Sequence, residues 1–257
     1  MTWLTLFKVN MKRELILIKR YWMNTLSMIV SFYIIFLAMF LGIQVVGDPS
    51  TAELNTQYVI INYIFWYLTM AVMSGIGWVV MNEVTLGTLE QLYMSPLGAW
   101  RIFLARIVSS TIVEIGIVIV MLILSMLTAG TWLNLDILSI FPIFVLTIIS
   151  MIGVSFMIAG MAVIFKQINS FLQISQFIFA GLTFVPLSVA PFLVFFPVVK
   201  GVDMVRQIAI HNYTLADFSL MDYTALILNA IVYLVLGIIV FSRCERHAME
   251  KGILGQH

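Results

Sequence analysis

Long runs without a single charge leave this chain few folds to choose from. No Asp, Glu, Lys or Arg stands between Arg20 and Asp48, between Glu53 and Glu83, between Asp136 and Lys166, or between Lys166 and Lys200. The stretch from Ile107 to about Thr128 is interrupted only by Glu114, and that from Tyr223 to Ser242 is uninterrupted. A helix needs about 20 apolar residues to cross the hydrocarbon core of a bilayer. Backbone groups in lipid must satisfy one another, so runs of this length read as helices. The expected fold is an all-α polytopic membrane protein, one transmembrane domain over residues 1–257. Its six spans are expected at 21–46, 57–81, 107–128, 139–165, 168–185 and 223–242.

Composition agrees. Hydrophobic residues make up 62% of the chain, charged residues 10%, and mean hydropathy is +1.09. Soluble domains carry about 25% charged residues. The net charge of +1, with no basic or acidic tail, gives no sign of nucleic-acid binding. A single cysteine, Cys244, excludes an intramolecular disulfide and a Cys-based zinc site. The N-terminus does not read as a cleavable signal, because its apolar run begins only after Arg20 and is too long. Basic residues set the orientation. Of the 13 Lys and Arg, only Lys200 and Arg206 fall outside the segments that alternate on one side of six spans. Both termini are therefore expected in the cytoplasm.

Leu4, Phe7, Met11, Leu15, Ile18 and Trp22 recur at three- and four-residue steps, with Lys and Arg filling much of the remaining surface. Residues 1–20 therefore read as an amphipathic helix lying in the membrane interface. A cytoplasmic extension of the first span fits the periodicity equally well.

The segment Glu83-Val-Thr-Leu-Gly-Thr-Leu-Glu-Gln-Leu-Tyr-Met-Ser-Pro96 is the most informative loop. Gly87 permits a sharp turn. Thr88 and Gln91 have capping-box spacing, and Pro96 limits a helix from Leu89 to about Met94. Its apolar residues Leu89, Leu92 and Tyr93 are expected to face the cytoplasm as a docking knob. An ordinary loop helix on the lipid surface is the plain alternative.

The fifth run exceeds the bilayer core and contains Pro186, Pro191 and Pro197. A span ending near Val185 is expected, followed by a re-entrant external segment over 186–222 that acts as a lid or gate. Glu114 is the ionisable residue inside an apolar run, which marks it for function by default. It stands about two turns from the cytoplasmic end of its span, where it could equally reach water or a basic partner. Asn169, Gln173 and Gln176 share a face at the start of the fifth span. They would line a vestibule or tie helices together. The 17 Met and 19 Phe suit greasy substrates but suit lipid contact as well.

Several chemistries are missing. There is no G-x-x-x-x-G-K-[ST] phosphate loop. None of His211, His247 and His257 lies in a span, so a serine such as Ser155 has no base. No metal-ligand cluster is readable, and no inverted repeat is visible.

In the Glu83–Pro96 stretch the sequence resembles the type-2 ABC exporter permeases. That family tends to show an acidic residue, then Gly-Thr-Leu-Glu-x-Leu, then Ser-Pro between its second and third spans. Glu83, Gly87, Thr88, Leu89, Glu90, Leu92, Ser95 and Pro96 match. The resemblance implies a coupling helix at this loop, docking on an ATPase subunit and including Gln91 and Tyr93. It also implies a proline-punctuated external segment ending in an acidic residue and an arginine, here Pro186, Pro191, Pro197, Asp203 and Arg206. The match departs at Val198-Val199-Lys200-Gly201, where polar and aromatic residues are more usual. Size, span count and the N-terminal helix extend it over nearly the whole chain. The implied protein is a non-catalytic permease subunit in a prokaryotic plasma membrane, exporting a lipophilic substrate. It would carry no cofactor itself; ATP and Mg would bind the partner ATPase. Its partners would be that nucleotide-binding subunit, a second permease copy or paralogue, and the bilayer. An ATP-independent secondary carrier using Glu114, or a membrane assembly scaffold, are the alternatives.

Overall fold

The computed structural model describes residues 3–95, 97–165 and 167–251. Pro96, His257 and the side chain of Glu90 therefore lie outside the described part. The described residues are all-helical, without strands. In order they are α1 (Trp3–Arg20), α2 (Trp22–Val46), α3 (Ala52–Thr85), α4 (Leu89–Tyr93), α5 (Ala99–Ala129), α6 (Ile137–Phe165), α7 (Asn169–Phe184), α8 (Val199–His211) and α9 (Leu220–Glu250). Short 3-10 turns at Pro191–Phe195 and Leu215–Asp217 flank α8.

Five of these helices, α2, α3, α5, α6 and α9, are long and apolar enough to cross a membrane. The fifth expected span, 168–185, is a helix at the expected place but a short one. Its 16 residues in α7 reach about 24 Å, against a core of about 30 Å. The prolines explain why. Pro186 ends the helix in a turn, accepting from the Val189 and Ala190 amides, and Pro191 opens the next element. Alongside α3, α7 runs from the level of Gly77, whose neighbours include Ile168 and Leu172, to the level of Asn62 and Arg206. Residues 185–198 carry the chain on to α8.

Helix α3 is the hub, packing on α2, α4, α5, α6, α7 and α8. In its most apolar stretch 67% of the residues are buried, against 6% in α2. Phe36, the one fully covered side chain of α2, is set against Tyr63 at 5.5 Å between ring centroids. The rest of α2 turns Leu26, Val30, Ile34 and Leu41 outward.

The N-terminal helix packs on α5. Trp3 sits against Trp100 (6.2 Å between ring centroids), and Tyr33 shares a 2.5 Å hydrogen bond with Thr128. So α1 and α2, broken at Tyr21, follow α5 along its length. Leu4, Leu15 and Trp22 point outward, whereas Leu6 and Asn10 are buried and Glu14 is half-buried. Polarity decides this: Asn10 donates to the Leu6 carbonyl (2.8 Å) and Glu14 pairs with Arg13 (3.1 Å), so their polar atoms can turn inward.

The most extensive helix pair is α6 with α9. Small residues allow the close approach. A Cβ on Gly153 would meet the Tyr233 carbonyl oxygen at 2.3 Å, and one on Gly237 the Gly153 oxygen at 2.1 Å. Gly237→Ala is therefore expected to destabilise the protein by about 1–3 kcal/mol through overpacking. Gly42→Ala, whose Cβ would meet nothing within 4 Å, should leave stability equal or slightly higher. Thermal unfolding of both variants in detergent checks this; an unchanged midpoint for Gly237→Ala contradicts the packing.

Candidate functional site

The loop after α3 is a built corner. Helix α3 ends at Thr85, and Gly87 takes φ 68°, a left-handed conformation that suits glycine. The Thr88 amide then donates to the Glu83 carbonyl (3.0 Å) and the Gly87 amide to the Val84 carbonyl (3.0 Å). This is the paired closure that commonly terminates a helix at glycine. It reverses the chain and launches α4.

Glu83 then fastens the corner with its side chain. Arg106 Nη1 of α5 donates to one carboxylate oxygen at 2.7 Å, and the Thr88 hydroxyl donates to the other. Arg13 of α1 is near enough to add its field. One carboxylate thus binds the end of α3, the start of α4 and the first part of α5. The Thr88–Gln91 capping box is not formed. Thr88 spends its hydroxyl on Glu83, and Gln91 faces outward.

The outward face of α4 is also not the one expected. Leu89 is only 2% exposed, and Leu92 and Tyr93 are half-buried against the core. Burial pushes the Tyr93 hydroxyl pKa up, the nearby Glu245 carboxylate adding to it, and that hydroxyl has no partner among the described residues. The apolar side chains root the helix. What projects is Leu86 at 73% exposure, Gln91, and Met94 at 76%. Ser95 caps the exit by accepting from the Leu97 and Gly98 amides.

The expected gate lies at the other end of the bundle. The residues around Pro191 and Pro197 lead into α8, entered through Val198 at φ 76°. A β-branched residue is strained there and is held by its burial. Helix α8 is driven into the bundle: a Cβ on Gly201 would overlap Thr147 of α6. Arg206, 3% exposed, donates through Nε to Asn62 Oδ1 (2.7 Å) and through Nη2 to the Thr183 carbonyl. Lys200 Nζ reaches Asp222 at 2.6 Å and Asp203 at 3.6 Å. Asp203 also accepts from Gln207 (3.0 Å). Charges on α8 therefore clamp it to α3, α7 and α9.

The remaining polar residues separate. Asn169 and Gln173 are exposed on the outer face of α7, and Gln176 is half-buried beside them. Among the described residues their side chains tie no helices together; the Gln176 backbone carbonyl accepts from Trp66 Nε1 (3.1 Å). Glu114 accepts from the Tyr67 hydroxyl at 2.6 Å and forms no ion pair among the described residues. The sequence reading missed Arg106, Asn62, Thr183 and Tyr67 as partners. Asn62, a polar residue inside a charge-free run, carried a usable signal; Tyr67 and the Thr183 backbone carried none. Among the described residues no group of three or more His, Cys, Asp or Glu is placed to hold a metal.

The family model for the ABC-2 type transporter matches residues 5–210. The chain belongs to that family: it is a multi-pass transmembrane permease, itself non-catalytic, with the ATPase elsewhere. The match covers everything through most of α8 and leaves α9 outside. No curated protein and no solved structure gave a significant match.

The Glu83–Arg106 pair offers a direct check. A double-mutant cycle of Glu83→Gln and Arg106→Gln is expected to show coupling of about 1 kcal/mol, since both side chains are largely covered. Additive effects on the unfolding midpoint would show that the pair does not hold the corner.

Proposed function

We propose that this chain is the membrane subunit of an ATP-driven exporter, and that α4 is the handle by which a separate ATPase subunit moves it. The observation that carries this reading is the corner itself. Leu86, Gln91 and Met94 project from a turn that Glu83 fixes to α3 and α5, so a force on them reaches both long helices together. ABC-2 membrane domains typically pair with ATPase subunits, and ATP and Mg belong on that partner. The same membership counts against a secondary carrier or an assembly scaffold.

In this reading the α4 end is cytoplasmic, as are both termini, and α7 with residues 185–198 makes the sixth crossing. The distribution of Lys and Arg supports it. The corner residues Glu83, Gly87, Thr88, Leu89, Glu90, Leu92, Tyr93, Ser95 and Pro96 shape the handle. Pro186, Pro191, Pro197, Asp203 and Arg206 shape an external gate, whose buried α8 must shift or part from a neighbour for solute to leave. The outward faces of α2 and α7, with Asn169 and Gln173, are offered to a second permease copy or a paralogue. A substrate with substantial apolar surface fits this interior best.

Leu86→Glu combined with Met94→Glu changes exposed positions and should leave folding stability within about 0.5 kcal/mol of the parent. It should abolish both co-purification of the ATPase subunit and permease-dependent stimulation of ATP hydrolysis. Normal ATPase association in that variant would overturn the assignment of the handle.

A further inference from the structure

Between α1, α3 and α5 lies a cavity of about 210 Å³ that the transport reading does not use. By the volume of liquid water it would hold about seven water-sized groups. Its lining includes Arg13, Glu14, Arg106, Thr111 and Glu114 together with Leu17, Val72 and Phe103.

The charges do not balance within the protein. Arg13 faces Glu14 at 3.1 Å and Arg106 faces Glu83 at 2.7 Å, so each guanidinium already has its carboxylate. Glu114 is the one left over. It has the Tyr67 hydroxyl at 2.6 Å and Glu14 as a like-charged neighbour, but no ion pair among the described residues. Thr111, one turn before it and 4% exposed, has a hydroxyl with no hydrogen-bond partner in the described structure. A buried carboxylate without a counter-charge and a buried hydroxyl without a partner are both costly. A small cation in the cavity would give the carboxylate its counter-charge. The apolar residues of the lining fit the carbon chain such a cation would carry.

We propose that this cavity binds an amphiphile with a primary-ammonium head, the ammonium resting on Glu114 with Thr111 beside it and the chain lying along Leu17, Val72 and Phe103. An aminophospholipid of the surrounding leaflet and a free lipophilic amine share this chemistry. The site needs no particular membrane orientation and no ATPase partner, so its fate is separate from that of the handle.

The test uses the full chain in phosphatidylcholine nanodiscs. A fluorophore-tagged long-chain primary alkylamine is titrated against the same chain ending in an alcohol. The amine should bind at least about tenfold more tightly, the effect of one charge-assisted contact. Glu114→Gln, which can still accept from Tyr67, should erase that preference with little change in thermal midpoint. Thr111→Val should weaken amine binding several-fold and serves alone if Glu114→Gln fails to fold. Displacement by excess phosphatidylethanolamine identifies the lipid as occupant, and persistence of the amine identifies a free solute; either supports the site. Equal binding of amine and alcohol to the parent protein, or an undiminished preference in Glu114→Gln or in Thr111→Val, overturns it.

Discussion

A single carboxylate organises the end of this bundle where the chain turns most sharply. Glu83 accepts from Thr88 on the way into α4 and from Arg106 on α5, while its backbone carbonyl closes the glycine turn. Without that convergence α4 would be five residues of helix on a loop, too short to hold its own shape. With it, the short helix inherits the stiffness of two long ones. Burial of Leu89, Leu92 and Tyr93 completes the anchorage and leaves Leu86, Gln91 and Met94 free.

The rest of the bundle divides by how tightly it is packed. At Gly153 and Gly237 the backbones of α6 and α9 touch, which leaves no room for sliding without repacking. Helices α1 and α2 lie along α5 with far more of their surface uncovered, and a cavity lies between α1, α3 and α5. A push at α4 therefore meets a fixed α6–α9 pair on one side and a looser set on the other. Helix α8, clamped by Lys200 and Arg206, closes the opposite end.

Much of this was legible in the residues. Charge-free runs located every long helix because lipid forbids unpaired backbone, and Gly87 with Pro96 marked the loop helix to within a residue. The fifth run was expected to end near Val185, and α7 ends at Phe184 just before Pro186; its 16 residues fall short of the full thickness of the bilayer core. The face of α4 was misread: Leu89, Leu92 and Tyr93 turn into the core and anchor the short helix, while Leu86 and Met94 project. Partners far apart in sequence, Glu83 with Arg106 and Arg206 with Asn62, follow from helix packing and leave no local trace.

The central claim is that the α4 corner stands in the cytosol and is covered by an ATPase subunit. Placing a cysteine at Gln91 in a Cys244→Ser background, and treating sealed cells and inside-out vesicles with a membrane-impermeant maleimide, tests it directly. The account predicts labelling in the vesicles alone, with protection when the ATPase subunit is bound. Labelling from outside the cell, or labelling that the ATPase leaves untouched, would contradict it.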